Sequence, residues 1–386
     1  MDEALGSCGL DELRKRRSVK WTRHPPDVLP AWVAEMDYDL AAPVVEALRE
    51  ATEAGDAGYA NPVGFGAPFA AFARSRWSWA VEPARVFALP DVMSGMAEVV
   101  TAVTDPGAGV VVNPPVYPPF FSRTALAGRR IVEAPLARKA EGRYDLDFDA
   151  IDAALGRDGV AAYLLCNPHN PVGRVWSRRD LMTVADLCQH HGTWLLADEI
   201  HAPLALGGAA HVPFLSLDHE TAERTVVFSS ASKGWNIPGL KCALAVTASA
   251  GTHRLLAKRW EALLPSHFGV LATMAAFGRS TAWLDTVRAQ LDENRWLLRD
   301  LLATELPAVG YVPPEASFLA WLDCRELGMG DDPAAGFLER GRVALSPGPG
   351  FGSQGRGWAR LNIGTSPQLI EEAVDRMASA LRRGAG

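Results

Sequence analysis

Five short, nearly uninterrupted apolar runs constrain this chain more than any other feature: GVVVN (109–113), AAYLLCN (161–167), WLLADE (194–199), TVVFSS (225–230) and CALAVT (242–247). A strand with one wet face alternates apolar and polar residues. These do not, so they predict strands covered on both faces, as in a parallel sheet between helices. The intervening segments supply the helices. Residues 43–53 place Val44, Ala47 and Leu48 on one side, and 69–79 read as a second helix. After Ser94, the residues Met96, Val99, Val100 and Val103 recur at helical spacing; within 178–191, Leu181, Ala185, Leu187 and Cys188 turn inward. This alternation is α/β architecture. Past residue 250 the pattern changes. A long helix over about 283–305 is followed by strand-like FLAWLD (318–323), RVALSP (342–347) and WARLNIG (358–364). A last helix over 367–383 spaces Ile370, Val374, Met377 and Leu381 by three or four. The expected division is a large domain over 43–275, a smaller α+β domain over 276–386, and an N-terminal segment, 1–42, joining the small domain.

Composition removes several function classes. The 386 residues carry 38 Lys and Arg against 45 Asp and Glu, a net charge of −7. No basic face for nucleic acid or anionic lipid is indicated. No run approaches the roughly 20 apolar residues of a membrane span. The opening MDEALGSCGLDELRKRR has its acids first and no apolar core after its basic run, so it does not read as a secretory signal. The five cysteines (Cys8, Cys166, Cys188, Cys242, Cys324) are scattered, with no CxxC and no histidine pair at metal spacing. The expectation is a reduced, cytoplasmic protein without a structural metal or disulfide framework. The 35 glycines and 27 prolines fall in short clusters rather than in a linker.

In open α/β sheets, ligands sit beyond the carboxyl ends of the strands. AAYLLC leads into NPHNPVG with Asn170, WLLA into DEIH with Asp198 and His201, and TVVF into SSASKGWNIPG with Ser230, Ser232 and Lys233. Three strand ends thus deliver an amide, a carboxylate and a lysine to one edge. Singly these are a helix cap or a solvated charge; together they suggest a site.

The order NPxNPxG, then DExx thirty-five residues before the lysine of SxSK, resembles the pyridoxal-phosphate enzymes of fold type I, the aspartate aminotransferase superfamily. More narrowly, AWVAEMDYDLAAPVVEAL, GYANPVGF, PPVYPPF, LLCNPHNPVGRVW, SASKGWNIPGLK and GRGWARLNIG resemble its cystathionine β-lyase (MalY/PatB) carbon–sulfur lyase branch. The resemblance covers about residues 15–380. It implies pyridoxal 5′-phosphate as cofactor, a small amino-acid substrate, and a homodimer with active sites at the subunit interface. Lys233 would form the Schiff base, and Asp198 would keep the ring nitrogen protonated so that the ring acts as an electron sink. Asn170 and His201 would serve the phenolic oxygen, and Tyr117 would stack on the ring. Backbone N–H groups of Ser94, Gly95 and Met96 at a helix start would hold the phosphate, with Ser230, Ser232 and Lys241. Lysine at 241 stands where the wider fold usually has arginine, and it holds phosphate as a point charge rather than a fork. Tyr59 would reach the neighbouring subunit's phosphate site. Arg360, with Asn170, would clamp the substrate carboxylate.

The implied reaction is β-elimination from an S-substituted L-cysteine. Lys233 removes the Cα proton, Tyr117 or Tyr59 assists the departing thiol, and pyruvate and ammonia follow. An aminotransferase uses the same Lys233, Asp198 and Arg360. A specialised enzyme acting oxidatively on a bulky cysteine conjugate differs only in pocket loops, with 21–33, 60–65 and 265–270 as the places to look. A non-catalytic scaffold has no use for the full set. GFGSQG (350–355) matches the dinucleotide fingerprint but follows no strand-to-helix turn. The twelve tryptophans read as core, with Trp235 a candidate pocket wall.

Overall fold

The computed structural model describes Leu5 and residues 9–384. Cys8 and most of the first eight residues of the opening stretch lie outside the described residues. A seven-stranded sheet runs in the order Val86–Leu89, Ala243–Thr247, Thr225–Ser229, Trp194–Asp198, Val160–Cys166, Gly109–Val112, Arg130–Glu133. The four middle pairings from Thr225–Ser229 to Arg130–Glu133 are parallel. Both faces are buried, and alternate residues of one strand enter different cores. Tyr163, Leu165, Leu195, Ala197 and Val227 join one cluster; Ala162, Leu164, Leu196, Val226 and Phe228 join the other. That is why these strands read as continuous apolar runs. One departure concerns CALAVT, whose strand Ala243–Thr247 is antiparallel to both neighbours. A strand buried on both faces has the same composition in either direction.

Caps set the helix boundaries. Ser177 and Asp180 form a reciprocal capping box at Arg178–His191. The helix expected over 69–79 is Gly66–Trp77, ended by Ser78 in the left-handed region at φ 52°. The helix expected to follow Ser94 is Val92–Val103, capped by Asp91. Among the further helices, Ala42–Glu53, Thr281–Glu305 and Pro367–Gly384 match the remaining expected ones.

A second, antiparallel sheet orders Gly310–Tyr311, Leu319–Asp323, Trp358–Asn362 and Ser346–Pro347. RVALSP divides between two sheets. Ser346–Pro347 stays here, while Val343–Ala344 pairs in parallel with Leu29–Pro30. Residues 31–37, after this strand, form a strap that bridges the turn carrying Asn236 and the small-sheet strand Trp358–Asn362. Asn236 donates to Met36 O and accepts from Met36 N; Asn362 donates to Val33 O and Glu35 O. Lys20 and Asp37 form a buried ion pair at 2.7 Å that anchors the same strap. No described helix is long and apolar enough to cross a membrane.

Candidate active site

The parallel strands end at a cavity of about 510 Å³. Tyr117 follows Gly109–Val112, Asn170 follows Val160–Cys166, and Asp198 ends its strand with His201 one turn later. Ser230, Ser232 and Lys233 come from the short helix Ala231–Gly234 and its cap, and Lys241 from the next turn. All eight line this cavity.

The floor is dry and its ionisable groups are displaced accordingly. Burial pushes the Asp198 carboxyl up to about 7, against the opposing pull of the Ile200 N–H it accepts at 3.1 Å. Burial, with Arg360 nearby, lowers the Lys233 amine to about 8. Burial and the charges of Lys233 and Arg360 hold His201 near 3, so its ring is neutral. Desolvation disfavours the charged form in each case. Lys233 Nζ donates to Ala34 O at 2.7 Å, which places the strap across the lysine. His201 Nδ1 is buried without a hydrogen-bond partner among the described residues.

Arg360 lies behind Asn170 rather than on the cavity wall. It donates to Asn170 Oδ1 at 3.1 Å, Ser346 Oγ at 3.1 Å and Trp32 O at 3.2 Å, and its Nε is buried and unpartnered. Phe351 packs on its guanidinium at 5.0 Å. The glycine-rich 350–355 segment makes that contact possible: a Cβ on Gly355 would stand 1.8 Å from Gly348 O. The fingerprint match is therefore a tight turn under the arginine.

Several expected residues sit elsewhere. Ser94, Gly95 and Met96 do not line the cavity, because the helix begins two residues before Ser94. Ser94 N–H is taken by Asp91 Oδ1 at 2.8 Å, and a Cβ on Gly95 would meet Leu89 Cδ1 at 2.5 Å. Val92 and Met93, the first two helical residues, face the cavity instead. Ser230 Oγ donates to Cys242 O and accepts from Ser232 N, so its hydroxyl is engaged in capping. Lys241 is 59% exposed and pairs with Asp91 Oδ2 at 2.9 Å. Tyr59, 91% exposed, is remote from its own chain's cavity. Trp235 is core, with Nε1 donating to Ser280 O. The segments 21–33, 60–65 and 265–270 do not line the cavity within one chain; Ala34, Asp91, Ser122, Arg123 and Leu126 do. Of these, Asp91 carried a legible signal as an aspartate three residues before Ser94, while Ala34 acts through its carbonyl and carried none.

The chemistry of these donors fits pyridoxal 5′-phosphate. A buried carboxylate with one backbone partner is matched by a cationic ring N–H, an unpartnered imidazole nitrogen awaits a polar ring substituent, and a near-neutral amine waits beside them. The aminotransferase class I and II family model matches residues 33–377. Cystathionine β-lyase PatB of Bacillus subtilis is 36% identical over 95% of this chain and 97% of its own. A Mycobacterium leprae protein with a provisional cystathionine β-lyase name is 43% identical over 98% of both chains. A solved structure provisionally named as a pyridoxal-phosphate-dependent β-cystathionase, from Corynebacterium diphtheriae, superposes with a TM-score of 0.92 at 30% identity, covering 98% of this chain and 99% of that one. The chain belongs to the aminotransferase class I and II family of pyridoxal-phosphate enzymes, in the cystathionine β-lyase branch.

Proposed function

We propose that this chain, a pyridoxal-phosphate-dependent carbon–sulfur lyase, cleaves an S-substituted L-cysteine by α,β-elimination to a thiol, pyruvate and ammonia. The observation that carries the reading is the near-neutral Lys233 amine, at about 8, in one dry cavity with Asp198 and a neutral His201. The cofactor, when bound, supplies the electron sink. Lys233 would hold the cofactor through Nζ, and the same Nζ would take the substrate's Cα proton. A base is most effective with its pKa near the working pH. Its hydrogen bond to Ala34 O keeps Nζ aimed at the cavity and leaves the lone pair free. Asp198 would hold the ring nitrogen, and His201 and the Asn170 amide would serve the phenolic oxygen. Tyr117, partly buried with its phenol pushed up by burial, would stack on the ring and serve as a neutral donor to the departing sulfur. Arg360, behind Asn170, would reach the substrate carboxylate alongside it, with the Nε–H that has no partner among the described residues as the free donor. Ser232 and the N–H groups of Val92 and Met93 would hold the phosphate, with Lys241 at the same edge but paired to Asp91.

Two chains pair in this reading. The exposed loop carrying Tyr59 and Val63 reaches the other chain's cavity, and the domain division at residues 42 and 275 is retained, supported by the two separate sheets. The test is a panel of L-cystathionine and other cysteine S-conjugates, with thiol and keto-acid products identified by mass. Thiol plus pyruvate is the expected outcome. Keto acid formed with cofactor amine and no thiol means a transaminase, and silence across the panel removes the proposal.

A further inference from the structure

The phosphate edge of the cavity contains a charge conflict. Helix Val92–Val103 presents its first N–H groups there, yet its cap is a carboxylate that also lines the cavity. Asp91 Oδ1 accepts from Ser94 N, and Asp91 Oδ2 accepts from Lys241 Nζ. Lys241 and Asp91 cancel, so the helix end alone remains, worth about half a positive charge. A phosphate ester brings about −1.5 to −2.

One cation at this edge has no acidic partner among the described residues: Arg123, on helix Pro119–Leu126. It lines the main cavity together with Asp91, Val92 and Met93. It also lines a narrow cleft with Met93, Met96 and Ala97, so the side chain spans the first turn from cleft to cavity. We propose that Arg123 is a phosphate-binding residue of this enzyme, supplying the positive charge that the Asp91–Lys241 pair withholds from the cofactor. Its planar fork matches phosphate in two parallel hydrogen bonds, which a lysine cannot. The inference rests on reading this edge as the cofactor's phosphate site.

The test equilibrates holoenzyme and variants by dialysis against graded pyridoxal 5′-phosphate, and separately against pyridoxal, with bound cofactor read by visible absorbance and folding by circular dichroism. Arg123→Ala weakens pyridoxal 5′-phosphate about tenfold, the loss of one charge-assisted contact, and leaves pyridoxal unchanged. Arg123→Lys recovers part of the loss. Asp91→Asn keeps a competent cap, tightens the phosphorylated cofactor, and restores most of what Arg123→Ala removes. Wild-type binding by Arg123→Ala overturns the inference, as does equal weakening of both ligands or an Asp91→Asn that rescues nothing. If the unsubstituted enzyme holds pyridoxal as tightly as pyridoxal 5′-phosphate, the reading of the edge itself fails.

Discussion

Two aspartate–lysine couples face one cavity and behave oppositely. At the floor, Asp198 and Lys233 are drawn toward each other's range, at about 7 and about 8, because burial disfavours both charges. At the rim, Asp91 and Lys241 touch at 2.9 Å. There burial pushes Asp91 up, but the bonds from Lys241 and Ser94 outweigh it and hold the carboxyl below its usual range. The same two residue types thus have ionisation displaced toward neutrality where they are buried and form a fixed ion pair where they are exposed. Solvent access, not residue identity, separates the two.

Breaking the floor couple has the largest effect. Lys233→Ala lowers turnover by about 10⁴-fold, the upper range for loss of a positioned base, and abolishes the visible absorbance of the lysine-linked cofactor. A band that survives the substitution assigns the linkage to another lysine. The next effect is on stability in protein freed of cofactor. Asp198 is raised from 3.8, so its contribution is intact below that pH and is lost as pH climbs toward about 7. Lys233 is lowered from 10.5, so its contribution is intact above that pH and is lost as pH falls through about 8. Near pH 8 the ionised Asp198 therefore weakens the fold, by up to about 4 kcal/mol. Asp198→Asn raises the thermal midpoint at pH 8 and leaves it unchanged near pH 3; equal midpoint shifts at both pH values refute this account. The smallest effect belongs to the rim. Lys241→Gln changes the unfolding free energy by less than about 1 kcal/mol, and the change fades in high salt. A loss well above that figure in denaturant titrations means the rim is drier than its exposure indicates.

Much of this was legible because buried parallel strands have a signature and because the strand ends carry Asn170, Asp198 and Lys233 in a fixed order. His201 and Ser232 follow from the same rule, whereas Tyr117 was reached through the resemblance. The direction of Ala243–Thr247 was not legible, since doubly buried strands look alike whichever way they run. The strands Val86–Leu89 and Arg130–Glu133 are only four residues each, too short to declare a period. The helix start was misplaced by two residues because Ser94 is a fair cap in isolation and Asp91 a better one in place. Arg360 sits in the body of a strand rather than at its end, so only resemblance pointed to it. Ala34 contributes a carbonyl, which every residue has.

The strap over the lysine bears on the order in which the enzyme is made. Residues 32–36 leave the ribosome early, but the groups that seat them come late. Asn236 stands 200 positions downstream of Met36, Arg360 lies 328 beyond Trp32, and Asn362 follows Val33 by 329. Contacts so distant in sequence close slowly. During translation the head of the chain waits while the whole large sheet and most of the small one are built. A nascent chain displaying a finished Lys233 still lacks the arginine and asparagine that pin the strap across it. The cavity is therefore crossed by residues made well before the groups that seat them.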